Sequence, residues 1–217
     1  MKSLIQLSLA TLALVLLSLV VWRTQINGWP SLLWVTTVIL MIVIRAPFAK
    51  RTSSNQITDK QDVTKERWLL TLVAIGGTYL PLLHLAFGIF GFANYRIGST
   101  TAIAGGIILG PALWLFWRSH FDLGTNWSVP TELHQEQELV VSGVYKRSRL
   151  PMYAAIWLLF LVQPLFVHNW IAGFSGVIAF AIMYFIRVPY EEEMMRQRFG
   201  SPYTEYCHRA GRRWPKL

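Results

Sequence analysis

The chain has 217 residues, 53% hydrophobic, 14% aromatic and only 14% charged, with a mean hydropathy of +0.40 and a net charge of +9. This composition excludes an ordinary soluble domain and describes a polytopic membrane protein. Its cationic excess does not call for nucleic acid, because each Lys or Arg beside an anionic leaflet gains on the order of 1 kcal/mol.

A helix needs roughly 17 to 25 apolar residues to cross the hydrocarbon core, and six segments qualify or come close. The first runs from about Leu4 to Trp22. It follows Lys2 like a secretory signal, but it exceeds the usual 7 to 15 residue apolar region and has no small-x-small site before Trp22-Arg23, so a retained span is expected. The second runs from about Trp29 to Ile44 and should end against Arg45 and Pro47. A polar stretch, Lys50 to Arg67, reads as a connector without a motif.

The third span, about Trp68 to Phe90, contains His84 near Pro81, read as a packed polar residue. The fourth, about Thr100 to Trp117, carries Gly106 and Gly110 at a small-xxx-small spacing that suits close helix packing. The fifth and sixth, about Ala154 to Val167 and Trp170 to Ile186, meet at His168-Asn169 and should form a tight hairpin. Both are short, which implies tilt or local thinning of the bilayer.

The positive-inside rule orients these spans. With the N-terminus inside, 18 of the 20 Lys and Arg face the cytoplasm and only Arg23 and Arg96 lie outside. The expected fold is therefore all-α, with about six transmembrane helices, both termini cytoplasmic and a pocket at the cytoplasmic face. The expected division is a four-helix region over 1–118 and a catalytic region over 119–217, with its hairpin at about 154–186.

Chemistry concentrates in two polar segments flanking that hairpin. In FDLGTNWSV, Gly124 and Asn126 suit a turn and Trp127 an interfacial position. The stretch LVVSGVYKRSRLPMY, Leu139 to Tyr153, combines Gly143, which permits a positive φ, with Lys146, Arg147, Arg149 and Pro151. Pro151 biases Leu150 away from helix. Irregular backbone suited to a polar ligand is expected here, and a basic loop touching lipid headgroups is the plainer reading of the same residues.

In RVPYEEEMMRQRFGSPYTEY, Pro189 should break the sixth helix and open another, placing Glu191, Glu192 and Glu193 in a first turn favoured by the helix dipole. Arg187 and Glu191 stand four apart, and on an exposed helix face such a pair contributes roughly 0.3 to 0.5 kcal/mol. At a membrane boundary an ionisable cluster points instead to a site. A further helix should start at Ser201-Pro202, include Tyr203 and Tyr206 and end at Gly211. The lone Cys207 supports neither a disulfide framework nor a thiolate metal site, and the five histidines lack metal-ligand spacing, so no metal is expected.

The segments LGTNWS, LVVSGVYKRSRLPMY and RVPYEEEMMRQRFGSPYTEY resemble the isoprenylcysteine carboxyl methyltransferase family, related to the phospholipid N-methyltransferases, over about residues 121–217. The resemblance implies an S-adenosylmethionine-dependent methyltransferase. It implies that Gln137, Glu138, Leu139, Val140, Tyr145, Leu150, Pro151, Met152, Tyr153 and Glu191 line the cofactor pocket. It makes Arg187 the holder of a substrate carboxylate, with Arg187, Glu191 and Glu192 as the catalytic set. The implied acceptor is lipophilic and enters from the bilayer, with a prenylated cysteine as model.

Leu150 stands where the family pattern has His, so its side chain offers no hydrogen bond; if that His contacts the cofactor in relatives, a weaker site, a rearranged pocket or lost activity follows, while backbone contacts from the same turn would survive the change. An amine or thiol acceptor, or a non-catalytic or reductase-like protein on the same fold, are the competing readings. A transporter is disfavoured, since no inverted repeat or pair of broken helices is evident.

Overall fold

Long apolar runs satisfy their backbone polar groups internally once they leave water, and in this chain they do so as helices. The computed structural model describes residues 15–52, 57–60, 63–124, 132–134 and 138–212. Residues 15–22 are helical (α1), followed by the short α2 (Thr24–Asn27) and by α3 (Pro30–Thr52). Next come α4 (Val63–Ala74), a π-helical turn (Ile75–Tyr79) and α5 (Leu80–Phe87), then α6 (Ser99–Leu123). The chain ends with α7 (Pro151–Phe166), α8 (Trp170–Phe199) and α9 (Ser201–Arg209). The one departure from an all-helical fold among the described residues is a two-stranded antiparallel ribbon, β1 (Ile57–Lys60) against β2 (Glu132–His134).

Among the described residues four helical stretches are long and apolar enough to cross a membrane: Pro30–Ala49, Thr64–Phe87, Thr100–Leu123 and Trp170–Phe199. The expected first span lies mostly outside the described residues. Helix α7 has 16 residues, which reach about 24 Å at 1.5 Å per residue, short of the hydrocarbon thickness.

Two expected helix ends are not there. α3 continues through Arg45 and Pro47 to Thr52. Pro47 withholds one N–H from the ladder, but Phe48 just beyond it is buried and packs on the His120 ring at 5.4 Å, holding the next turn in line. α8 likewise runs unbroken through Pro189. Val188 is fully buried and Arg187 is pinned by carboxylates, so tertiary packing overrides the proline's preference. Glu191, Glu192 and Glu193 therefore lie in the body of α8 and not at a helix N-terminus.

The π turn has a cause of the same kind. Pro81 would crowd the carbonyl of residue 77 in a regular helix, and widening the preceding turn relieves it. Gly76 and Gly77 lie in that turn, and a Cβ on Gly76 would stand 2.5 Å from the Ser175 carbonyl oxygen and one on Gly77 would strike the Phe160 ring. Ser175 Oγ donates to the Gly76 carbonyl at 2.6 Å. Close approaches thus fall at Gly76 and Gly77, at Gly176 against Phe160, and at Gly105 against Phe166 of α7, next to the expected pair; a Cβ on Gly110 would meet nothing within 4 Å, and one on Gly106 only the tip of Leu33 at 3.8 Å.

Apolar side chains from α3, α5, α6 and α7, including Trp34, Leu85, Phe116, Leu159 and Phe166, form the main core. Leu69, Phe160, Phe180 and Met183 join α4, α7 and α8. The hairpin at His168-Asn169 is as expected. Asn169 caps α8 by accepting from the Ile171 and Ala172 N–H groups, and its amide donates to Phe90 O at 2.6 Å and Asn94 Oδ1 at 2.8 Å. The opposite end of the bundle carries the polar motifs.

Candidate active site

Ahead of α7 the described residues 138–150 form no α-helix, in keeping with Gly143 and with Pro151 just beyond. Residues 139–142 are irregular, Gly143–Lys146 make a 3-10 turn, and Gly143 adopts φ 58°. A left-handed φ suits glycine, and here the space for a Cβ is also filled by the Asp122 carboxylate. Asp122 accepts from the Val144 N–H at 2.8 Å and pairs with Arg118 at 3.0 Å, fixing the turn to the end of α6. Leu150 is non-helical, with φ −126° and ψ 51°, and Pro151 opens α7.

The C-terminal segment straps this turn in place. The Arg149 and Leu150 N–H groups donate to the Gly211 and Arg212 carbonyls at 2.8 and 2.9 Å, and Gly211 N–H donates back to Arg147 O at 3.0 Å. Tyr206 Oη, on α9, donates to Tyr145 O at 2.5 Å and Ser148 O at 3.3 Å. The turn's N–H groups at 149 and 150 are thus committed within the chain, and residue 151, a proline, has none.

Two ionic clusters lie beside the strap. In the outer one Glu192 is held by Arg149 at 2.9 Å on one oxygen and by Arg212 at 2.8 Å on the other. Arg149 Nη1 also reaches Cys207 Sγ at 3.0 Å. Burial works to lower the Arg149 pKa, but Glu192 and Cys207 outweigh it and hold the group above its ordinary value. Burial first, then the nearby Cys207 and Glu192, pushes the Tyr203 hydroxyl up to about 12. Burial raises Tyr145 and Tyr206 as well.

The inner cluster centres on Arg187, 8% exposed. Its Nε donates to Glu191 Oε1 at 2.7 Å, and its Nη1 pairs with Glu66 Oε1 at 3.1 Å. Glu191 Oε1 also accepts from Tyr153 Oη at 2.9 Å. Glu66, on α4 and 2% exposed, belongs to the stretch read as a featureless connector. Its flanking residues Lys65 and Arg67 disguise it in the sequence, and only the packing of α4 on α8 brings it to Arg187.

Both clusters face one cavity of about 480 Å³. Glu138, Leu139, Val140, Tyr145, Leu150, Met152, Tyr153, Arg187, Glu191 and Glu192 all line it. Pro151 is buried behind it, and Gln137 lies outside the described residues. Away from the charges the walls are apolar and aromatic, with Trp34, Val38 and Met41 of α3, Leu70 and Val73 of α4, and Phe116, Phe160 and Phe166 among them. Arg45 and His120 line it too, and neither was expected there.

Such a bundle, with buried arginine and glutamates at one end of an apolar cavity, defines an integral membrane protein with an enzyme-like site. Residues 100–202 match the family model described as phospholipid methyltransferase. Over 119 residues the chain is 30% identical to protein-S-isoprenylcysteine O-methyltransferase B of Arabidopsis thaliana, a match covering 53% of this chain and 56% of that protein. The chain thus spans about half the length of that relative. Over about half of its length the chain is thus similar to membrane methyltransferases of the phospholipid and isoprenylcysteine types.

Proposed function

We propose that the chain transfers a methyl group from S-adenosylmethionine to the carboxylate of a lipophilic, isoprenylcysteine-like acceptor. One observation carries this reading: the motif residues and Arg187 share a single cavity with an apolar compartment. The donor set suits the cofactor. Glu138 and Glu191 offer carboxylates for its cationic and hydroxyl-bearing parts, while Leu139, Val140, Leu150, Met152 and Tyr153 offer apolar surface for a flat base. When bound, S-adenosylmethionine supplies a methyl group already activated on a sulfonium.

The protein's own work is then placement. A carboxylate acceptor is already an anion and needs no general base, so holding it in line with the donor is the main demand. Arg187 keeps its charge at any working pH and suits a carboxylate. Glu66 and Glu191 fix that guanidinium from two sides. Glu192, with both oxygens engaged, serves as a brace between the turn at Arg149 and the C-terminal strap. α3 packs on α6 and α7, α4 packs on α8, and both line the cavity; the acceptor enters from the bilayer between α3 and α4. The charge asymmetry of the loops supports a site on the cytoplasmic side.

Calorimetry of S-adenosylmethionine and S-adenosylhomocysteine with detergent-purified protein tests the cofactor assignment. Binding by wild type and its loss in Glu191→Ala supports the pocket and opens an acceptor screen with labelled donor. The engaged N–H groups at Arg149 and Leu150 favour one competing reading, a protein that keeps the fold without the reaction. Binding that appears only in Leu150→His would establish that alternative, and absence of binding in both would overturn the methyltransferase assignment.

A further inference from the structure

The cavity contains a guanidinium that neither the motifs nor the matched region of residues 100–202 accounts for. Arg45 lies on the face of α3 that also carries Trp34, Thr37, Val38 and Met41, all lining the cavity at helical spacing. Away from the cavity the same stretch carries Val43, Ala46 and Pro47, all exposed, whereas Arg45 is half-buried. An arginine that snorkels to headgroups belongs on that outer face. Arg45 instead lines the cavity together with His120 and Arg187.

Arg187 by itself is poorly placed to fork a substrate carboxylate. Of its three nitrogens, Nε is committed to Glu191 and Nη1 to Glu66. Arg45 sets a second cation against the same space. Two like charges beside low-dielectric walls repel, and an anion between them is favoured by both. A protonated amine meets the same two charges as repulsion, and the Glu191 and Glu192 carboxylates of the same cavity are already paired with Arg187 and with Arg149 and Arg212.

Building on the reading of the cavity as an acceptor site, we infer that Arg45 is a specificity residue that shares the acceptor's anionic headgroup with Arg187 and rejects cationic acceptors. The test is equilibrium binding of three chain-matched amphiphiles, laurate, dodecanol and laurylamine, to the detergent-purified full chain, followed by the fluorescence of its tryptophans, Trp34 in the cavity among them. Wild type should bind laurate at least about tenfold more tightly than either partner, a preference typical of a charged pair removed from water. Arg45→Met should erase that preference, and Arg45→Lys should retain most of it. S-adenosylhomocysteine affinity, measured by calorimetry on the same samples, should stay within about threefold of wild type in both variants, which also shows that they fold. No preference in wild type, or a preference that survives Arg45→Met, overturns the inference. The methyltransferase assignment stands or falls separately, on whether S-adenosylhomocysteine binds at all.

Discussion

Glu66 is the residue whose importance is least visible along the chain and most visible in the fold. Replacing it by Gln keeps its shape and removes one of the two carboxylate charges, those of Glu66 and Glu191, that back Arg187. Breaking one arm of a buried ionic cluster should lower kcat/KM for the acceptor by about tenfold or more, while Kd for S-adenosylhomocysteine shifts by less than about threefold. A parallel loss of cofactor affinity would show that Glu66 merely supports the fold. Tyr203 makes a second prediction at this scale. Its folded pKa, about 12, lies above the ordinary 10.0, so its contribution to stability is complete below pH 10 and is lost progressively up to about pH 12, as the unfolded chain ionises first. The melting temperature of wild type should fall between pH 9 and 11 more steeply than that of Tyr203→Phe, and equal slopes would rule this out. The motif residues were readable because their spacing is local, as with Arg187 and Glu191 four apart on one helix. Glu66 and Arg45 were not, because their partners come from distant helices and because a cation near a span end is ordinarily spent on topology.

At the scale of elements, proline and glycine were read by their intrinsic preferences, and packing decided otherwise. Pro47 and Pro189 were expected to end helices, and both are carried through by buried neighbours. Pro151 does begin a helix, because it biases Leu150 away from helix and the strap engages the Arg149 and Leu150 N–H groups outside any helical ladder. The glycines follow the same logic. A small-xxx-small pattern marks where an approach is permitted, not where it occurs, and the contacts that distinguish Gly76 from Gly110 come from α8, out of reach of any local pattern. Gly76→Ala must push the Ser175 backbone away and should cost about 1 to 3 kcal/mol, the usual range for overpacking. Gly110→Ala meets open space and should leave the melting temperature unchanged or slightly raised by better helix propensity. Equal effects of the two substitutions, measured by thermal unfolding in detergent, would place the close contact elsewhere.

For the molecule as a whole, the ends of the bundle differ in kind, and this difference ties topology to chemistry. At one end Asn94, Tyr95, His168 and Asn169 tie loops together by neutral hydrogen bonds and ring contacts. At the other, Arg45, Arg149, Arg187, Glu138, Glu191 and Glu192 face the cavity. Hydropathy and loop charge made the membrane class and the polar end readable from composition; the shared cavity was not, because it needs α3 and α4 brought beside α7 and α8. A soluble cofactor made in the cytoplasm can reach only a cavity that opens there, so the proposed reaction requires the charged end to face inward. Cys207 is the chain's only cysteine, so Cys207→Ser gives a background for single-cysteine labelling. Phe92 lies at the neutral end and is 84% exposed, and Arg209, at the charged end, has an exposed side chain. In intact cells a membrane-impermeant maleimide should modify Phe92→Cys and spare Arg209→Cys, with both reacting after lysis. Labelling of Arg209→Cys from outside would invert the protein, leaving the cavity facing away from its methyl donor and removing the basis for S-adenosylmethionine as the cofactor.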